Sequence, residues 1–172
     1  MHIKDKDAIV TGASKGIGKA IALALARQGV SLAISARSKD ELDRTAAEIR
    51  QSGVKCLAIT ADMSKEDDIK RFVQSSVREY GSVQILVNNA GMGHFKPVYE
   101  LSSTEWDEMF NLNVRGLFIM TRECLPHLRQ SAESVIVNVA SLAGKNAFVN
   151  GAGYAATKHA VLGFSRCLML EE

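Results

Sequence analysis

Five short runs of β-branched and aliphatic residues recur along the chain, separated by longer stretches of helical periodicity. They are Ala8-Ile9-Val10, Ser31 to Ala36, Val54 to Thr60, Val83 to Val87 and Val135 to Val139. The helical patterns fall near 16–28, 39–52, 65–80, 103–129 and 152–170. Regular alternation of this kind specifies βαβ units, because parallel neighbours need a crossover long enough to hold a helix. The runs are apolar nearly throughout, as strands covered by helices on both faces must be. The expected fold class is α/β, a doubly wound parallel sheet with helices on both faces, forming one domain over residues 1–172.

Helix ends carry their own signals. Ser102-x-x-Glu105 and Ser64-x-x-Asp67 have capping-box spacing, the second in an aspartate version. Gly29, Gly53 and Gly81 fall where the first three helices should stop and supply left-handed caps. Pro126 should kink or end the fourth helix. The formal charge is +2 with scattered basic residues, which argues against a nucleic-acid partner. No apolar run reaches the eighteen residues or so that a membrane helix needs. The N-terminal segment does not read as a signal peptide. Cys56, Cys124 and Cys167 show no disulfide or metal spacing, fit a reducing cytoplasm, and are expected to be buried.

Chemistry enters with Thr11-Gly12-Ala13-Ser14-Lys15-Gly16-Ile17-Gly18, which links the first strand to the first helix. Glycines there allow a tight turn and the close approach of a pyrophosphate, while the helix N-terminus offers free N–H groups. Asn88-Asn89-Ala90-Gly91 follows the fourth strand, where small residues let backbone lie along a cofactor and the asparagines tie neighbouring strands. Asp62, after the third strand, has two open roles: acceptor for an adenine amino group, or turn residue before the next helix. Tyr154 and Lys158 stand four residues apart on one helix face. A free phenol titrates at about pH 10, and a neighbouring cation favours its ionised form. Ser141 closes the fifth strand, placed to bond a carbonyl oxygen.

Together, Thr11-Gly12-x-x-x-Gly16-x-Gly18, Asn88-Asn89-Ala90-Gly91, Ser141 and Tyr154-x-x-x-Lys158 resemble the short-chain dehydrogenase/reductase family, in its order and at its intervals. The resemblance implies a Rossmann-type fold and the interconversion of a carbonyl and an alcohol by hydride transfer with a nicotinamide cofactor. It makes Tyr154 the acid–base group, Ser141 the group that orients the substrate oxygen, and Lys158 the partner of the nicotinamide ribose and of the tyrosine. Asn113, in Asn113-Val114-Arg115-Gly116, matches the helix asparagine whose backbone holds a water in the proton relay to Lys158. The cofactor is expected along Gly12, Ser14, Lys15, Gly16, Ile17 and Gly18, then Arg37 and Ser38, Asp62 and Met63, Asn89, Ala90 and Gly91, and finally Tyr154 and Lys158.

Ala36 stands where an NAD-selective enzyme would carry an acid, and Arg37 follows it. Arginine pairs well with a 2′-phosphate, with Ser38 and Lys15 as further donors. NADP(H) is therefore favoured over NAD(H). Family members normally continue beyond the catalytic helix, whereas this sequence stops at Glu171-Glu172. The expectation is a fold truncated after that helix, most simply a fragment, with strand order 3-2-1-4-5 and Val135 to Val139 on an uncovered edge.

Three functions are weighed: a general carbonyl reductase or alcohol dehydrogenase, a 3-oxoacyl-carrier-protein reductase using Lys96 and Lys145 for an acidic carrier, and a non-catalytic nucleotide-binding or assembly module. Phe95 and Phe148 are either substrate contacts or core residues. A cytoplasmic homodimer or homotetramer acting on a small carbonyl or alcohol is expected, with no metal, nucleic acid or membrane.

Overall fold

The computed structural model describes residues 2–172. Five strands form one parallel sheet: β1 (Asp7–Thr11), β2 (Ser31–Ala36), β3 (Cys56–Thr60), β4 (Ile85–Asn88) and β5 (Val135–Asn138). Their order is β3-β2-β1-β4-β5, as the family resemblance implies. The first three crossovers are α1 (Gly16–Arg27), α2 (Lys39–Arg50) and α3 (Glu66–Tyr80). β4 and β5 are joined through α4 (Ser103–Phe110), a π turn at Asn111–Gly116 and α5 (Leu117–Leu128). After β5 come a short 3₁₀ turn at Leu142–Gly144 and α6 (Ala152–Glu171).

The two-residue period of a strand sorts side chains between two cores. Ala8 and Val10 of β1, Leu32 and Ile34 of β2, and Ile85 and Val87 of β4 pack with Ala22 and Ala26 of α1 and Leu42, Ala46 and Ile49 of α2. Ile9, Ala33 and Leu86 point the other way, against Ile69 and Phe72 of α3 and Ile119, Met120 and Cys124 of α5. Small alanines on α1 let that helix lie close to the strands that carry the glycine turn. The two edge strands are partly open, β5 most of all, with Val135 and Val137 exposed on one face.

Several expectations change. The single helix over 103–129 is divided by the π turn, whose i→i+5 bonding inserts extra backbone into the helical path. Packing explains the need: a Cβ on Gly116 would lie 2.1 Å from the Met63 carbonyl oxygen, so the turn is pressed against the loop after β3. Pro126 sits two residues before the end of α5, which terminates there. The Ser102–Glu105 capping box forms in full. The Ser64–Asp67 box does not, because Ser64 turns back: its N–H and hydroxyl both donate to Asp62 Oδ1, at 3.0 and 2.8 Å. Asp68, not Asp67, accepts the Asp62 N–H at 2.8 Å. Gly29, Gly53 and Gly81 take left-handed φ values of 82°, 80° and 78° beyond their helices. Cys56 and Cys124 are buried, but Cys167 is exposed on the outer side of α6. Among the described residues no helix is long and apolar enough to cross a membrane.

Glu66, at the start of α3, ties that helix to the π turn and α5 through Arg115 at 2.8 Å and Arg122 at 2.9 Å, and to its own next turn through Lys70 at 3.0 Å. Lys70, then Arg122, hold its carboxyl down at about 2, below the usual 4.5. A depressed carboxylate stabilises the fold above its unfolded pKa and loses that contribution as pH falls through the folded value. Wild type should therefore lose stability relative to Glu66→Gln between pH 4.5 and about 2. Urea midpoints of the two proteins, well separated at pH 6, should converge near pH 2.

Candidate active site

The ends of β1 and β4 are locked together by side chains that bond to backbone. Thr11 Oγ1 accepts from the N–H groups of Asn89 and Ala90, each at 3.0 Å. Asn89 Nδ2 returns bonds to the Thr11 and Gly12 carbonyls, at 2.9 and 3.1 Å. Its neighbour Asn88 reaches the other way, donating to Asn138 of β5 at 2.9 Å and Thr121 of α5 at 3.1 Å. These bonds fix the loop backbone after three strands at their carboxyl ends, where open α/β sheets bind ligands.

The glycine turn is pressed into this frame. A Cβ on Gly18 would lie 2.3 Å from both Asn89 Nδ2 and the Gly12 carbonyl oxygen. Gly12, at φ +67°, would set one 2.9 Å from the Ala90 Cα. Gly16 is different: its φ of +58° requires glycine, yet the space before it is open. Lys15, at the N-cap of α1, makes no side-chain cap, so no side chain occupies that helix's first N–H donors. An open glycine beside an uncapped helix N-terminus suits a pyrophosphate, and a dinucleotide fits this cradle.

The cleft in front of the turn has a volume of about 720 Å³, within the range of small-molecule sites. It brings together every residue expected along the cofactor: Gly12, Ser14, Lys15, Gly16, Ile17, Gly18, Arg37, Ser38, Asp62, Met63, Asn89, Ala90, Gly91, Tyr154 and Lys158. Asp62 also serves as the turn residue, through its bonds to Ser64. Ala36, Glu41, Ala61, Met92, Gly93, Phe95, Leu112, Val139 and Ala140 complete the lining. Glu41 is the informative addition, because its carboxylate lies 3.9 Å from the Lys15 ammonium. The sequence signal was available: Glu41 falls in the first turn of α2, just after Arg37 and Ser38.

At the opposite end, Lys158 is buried, and its ammonium donates to the Val139 carbonyl at 2.8 Å. Burial pushes its pKa down. The ammonium stands 5.7 Å from the centre of the Tyr154 ring, one helical turn earlier. Ser141 and Asn113 do not line the cleft. Ser141 follows the cleft residue Ala140 and caps the 3₁₀ turn, its Oγ accepting the Ala143 N–H at 3.2 Å. Asn113 is buried in the π turn and works through its amide. It accepts from the Met92 N–H and donates to the Met92 carbonyl, both at 2.8 Å, and donates to Thr157 Oγ1 at 3.0 Å. One side chain thus joins the loop after β4 to α6 beside Lys158. Phe95 and Phe148 are exposed rather than buried in the core. His94, the one histidine near the cleft, is bonded to Glu108 at 2.9 Å.

The family model of the short-chain dehydrogenases matches residues 6–172. The chain belongs to the short-chain dehydrogenase/reductase family. Members of this oxidoreductase family resemble it closely in sequence and in shape. The 3-oxoacyl-acyl-carrier-protein reductase FabG of Staphylococcus epidermidis is 36% identical over 163 residues, 94% of this chain and 67% of that one. An alcohol dehydrogenase from the archaeon Thermococcus sibiricus, solved with 5-hydroxy-NADP, is 36% identical with a TM-score of 0.92, covering 96% of this chain and 71% of that one. A short-chain dehydrogenase/reductase from Burkholderia phymatum, solved with NAD, has a TM-score of 0.97 at 30% identity, covering 100% of this chain and 62% of that one. The chain thus spans about two thirds of the length of these short-chain dehydrogenase/reductases.

Asn113→Ala should leave the half-buried Met92 N–H and C=O without their side-chain partner. The loss should cost about 1–3 kcal/mol of folding stability. Urea unfolding of variant and wild type measures it, and an unchanged midpoint would mean that the amide bonds carry nothing.

Proposed function

We propose that this chain is the core of an NADP(H)-dependent oxidoreductase that interconverts a carbonyl and an alcohol, with Tyr154 as acid and base. The observation that carries the reading is the shared cleft: Tyr154 and Lys158 line the same space as the glycine turn. The bound nicotinamide would supply hydride to the carbonyl carbon in reduction and accept it in oxidation. The chain's own residues do the rest.

Tyr154 gives its phenolic proton to the oxygen as the carbonyl is reduced, and takes it back in the reverse direction. The Lys158 ammonium stabilises the negative charge that this transfer leaves on the phenol, in a partly buried setting where Coulomb attraction is strong. Its bond to the Val139 carbonyl fixes where that charge sits. We assign Ser141 to the substrate oxygen: its Oγ already accepts from Ala143, which leaves its hydroxyl proton to donate. Asn113 is assigned a place in the proton path to Lys158 through its backbone, and its side-chain bonds hold that backbone still.

For the cofactor, Arg37 and Lys15 supply cations at the end of the cleft away from Tyr154, and no acid follows β2 directly. This supports NADP(H). Glu41 tempers the preference by drawing on Lys15, and NAD(H) remains a usable alternative. We further propose a cytoplasmic homodimer or homotetramer. Exposed Phe118 of α5, edge-on to Phe164 of α6 at 6.3 Å, offers an apolar face for such an assembly. A second reading, reduction of a 3-oxoacyl group on a carrier protein, is favoured by the resemblance to the Staphylococcus epidermidis reductase.

Tyr154→Phe should lower kcat by about 10²-fold or more while dinucleotide affinity stays within about twofold. NADPH oxidation against a panel of carbonyls, beside NADPH titration by fluorescence, measures both. Tight binding with no turnover in wild type would mark a nucleotide-binding module instead. Arg37→Asp should weaken NADPH binding by about tenfold or more and leave NADH binding far less affected. Equal losses for the two dinucleotides would remove Arg37 from the 2′-phosphate.

A further inference from the structure

We infer that the substrate of this site is a flat aryl ketone, or the matching secondary alcohol, rather than a linear acyl group delivered on an acidic carrier. The inference rests on the carbonyl–alcohol reading above and names the substrate class for it.

Its basis is an aromatic wall built onto the phenol itself. Phe95 meets the Tyr154 ring edge-on, with centroids 5.4 Å apart and an interplanar angle of 66°. Phe148 follows at 6.0 Å from Phe95, tilted by 48°. Neither phenylalanine belongs to the core, since Phe95 is 56% and Phe148 47% exposed. Exposed rings are usually free to swing, but both of these lie tight against backbone. A Cβ on Gly93 would stand 2.7 Å from Phe95 Cζ and 3.0 Å from Tyr154 Cδ2. One on Gly151 would stand 2.3 Å from Phe148 Cζ. Two glycines therefore make room for three rings. A substrate whose oxygen bonds the Tyr154 hydroxyl has Phe95 beside it in the cleft, and Phe148 extends that ring surface beyond the lining. Flat π faces gain from offset or edge contacts with such rings, in addition to the apolar area they cover. Val149, next to Phe148 in the chain, is exposed as well.

The charges around the mouth point the same way. A carrier-delivered substrate needs free cations to dock an acidic protein. Lys96 is bonded to Glu105 at 2.6 Å, and His94 to Glu108 at 2.9 Å. Lys96, then the Ser102 N–H, hold the Glu105 carboxyl down at about 2, so this pair persists at neutral pH. Of the lysines beside the mouth, only Lys145 has no salt bridge among the described residues. One exposed cation makes a poor docking face.

The test uses the whole chain with NADPH and two probes, 1-tetralone as the bicyclic aryl ketone and the N-acetylcysteamine thioester of 3-oxobutanoate as the linear one. We expect kcat/KM for 1-tetralone to exceed that for the thioester by at least about tenfold. Phe148→Ala should cut that ratio by about two- to tenfold, mainly through KM, the size expected of one aromatic contact. Phe148→Tyr, which keeps the ring, should restore it, and NADPH titration of each variant reports that the dinucleotide site is intact. A thioester turned over as well as 1-tetralone, or a ratio that Phe148→Ala leaves unchanged, overturns the inference. If neither probe is reduced, saturation-transfer NMR of 1-tetralone with the NADPH-loaded chain separates the two claims. Binding that Phe148→Ala abolishes would uphold the aryl preference while the reductase reading fails; no binding would end the aryl preference as well.

Discussion

The close packing of backbone where β1 ends and α1 begins governs the rest of this structure. Gly18 has no room for a methyl group, because the Gly12 carbonyl and the Asn89 amide fill the space a Cβ would take. That contact sets how near α1 lies to the sheet, and so how near its uncapped first turn lies to the cleft. The Asn89 amide is in turn held by two carbonyls of the β1 end, so the contact also fixes β4 against β1. The loop after β4 continues through Met92, which Asn113 clamps to the π turn and to Thr157 of α6. A chain of short polar contacts thus runs from the glycine turn to the neighbour of Lys158, and every link but the last, Asn113 to Thr157, is backbone to side chain. Such links have fixed geometry, which gives the site a defined shape before any ligand arrives.

Lys158 marks the point where stability and chemistry diverge. A partly buried ammonium is costly, and the lowered pKa records that burial disfavours its charge. One carbonyl, that of Val139, is its hydrogen-bond partner in the structure. A core built for stability alone would place an aliphatic residue there. The position is better understood as stored electrostatic work: a cation kept out of water, within 5.7 Å of a ring whose oxygen has to carry negative charge in the proposed reaction. Placed where solvent is partly excluded, it does not have to be desolvated as the proton moves.

The alternation of strands and helices, the glycine turn and the Tyr154–Lys158 pair were legible in the sequence because each rests on short-range rules, while strand order followed from the family resemblance. Apolar runs of strand length, glycines at tight turns and a tyrosine–lysine pair at helical spacing are local statements. The features that escaped depend on contacts between distant segments. The π turn exists because Gly116 meets the Met63 carbonyl from another crossover, a contact invisible in Asn111 to Gly116 alone. Ser64 abandons its capping spacing because Asp62, two residues back, offers a better acceptor for both its donors. Cys167 was misplaced for a different reason. α6 is apolar on much of its circumference, so periodicity could not say which of its residues face the sheet. Glu41 is hidden in the sequence because it lies past the residue directly after β2, in the first turn of α2, which returns to the same end of the cleft.

The two ends of the cleft follow opposite designs, and the contrast bears on what each can discriminate. At the Lys15 end, exposed charges of both signs line the cleft, with Lys15 shared with Glu41. Screened surface charges of this kind favour one dinucleotide over another by modest factors. At the Tyr154 end the groups are rings and buried polar atoms wedged against glycine backbone, with little freedom to adapt. On the aryl-ketone proposal, discrimination by shape would be sharper there, since a substrate that does not lie along the rings would leave apolar surface in water. Cofactor choice in this chain is therefore the property most open to change by single charge substitutions. Substrate choice, on the same aryl-ketone proposal, rests on rings seated against Gly93 and Gly151, so removing one ring shifts it only by the modest factor of one aromatic contact.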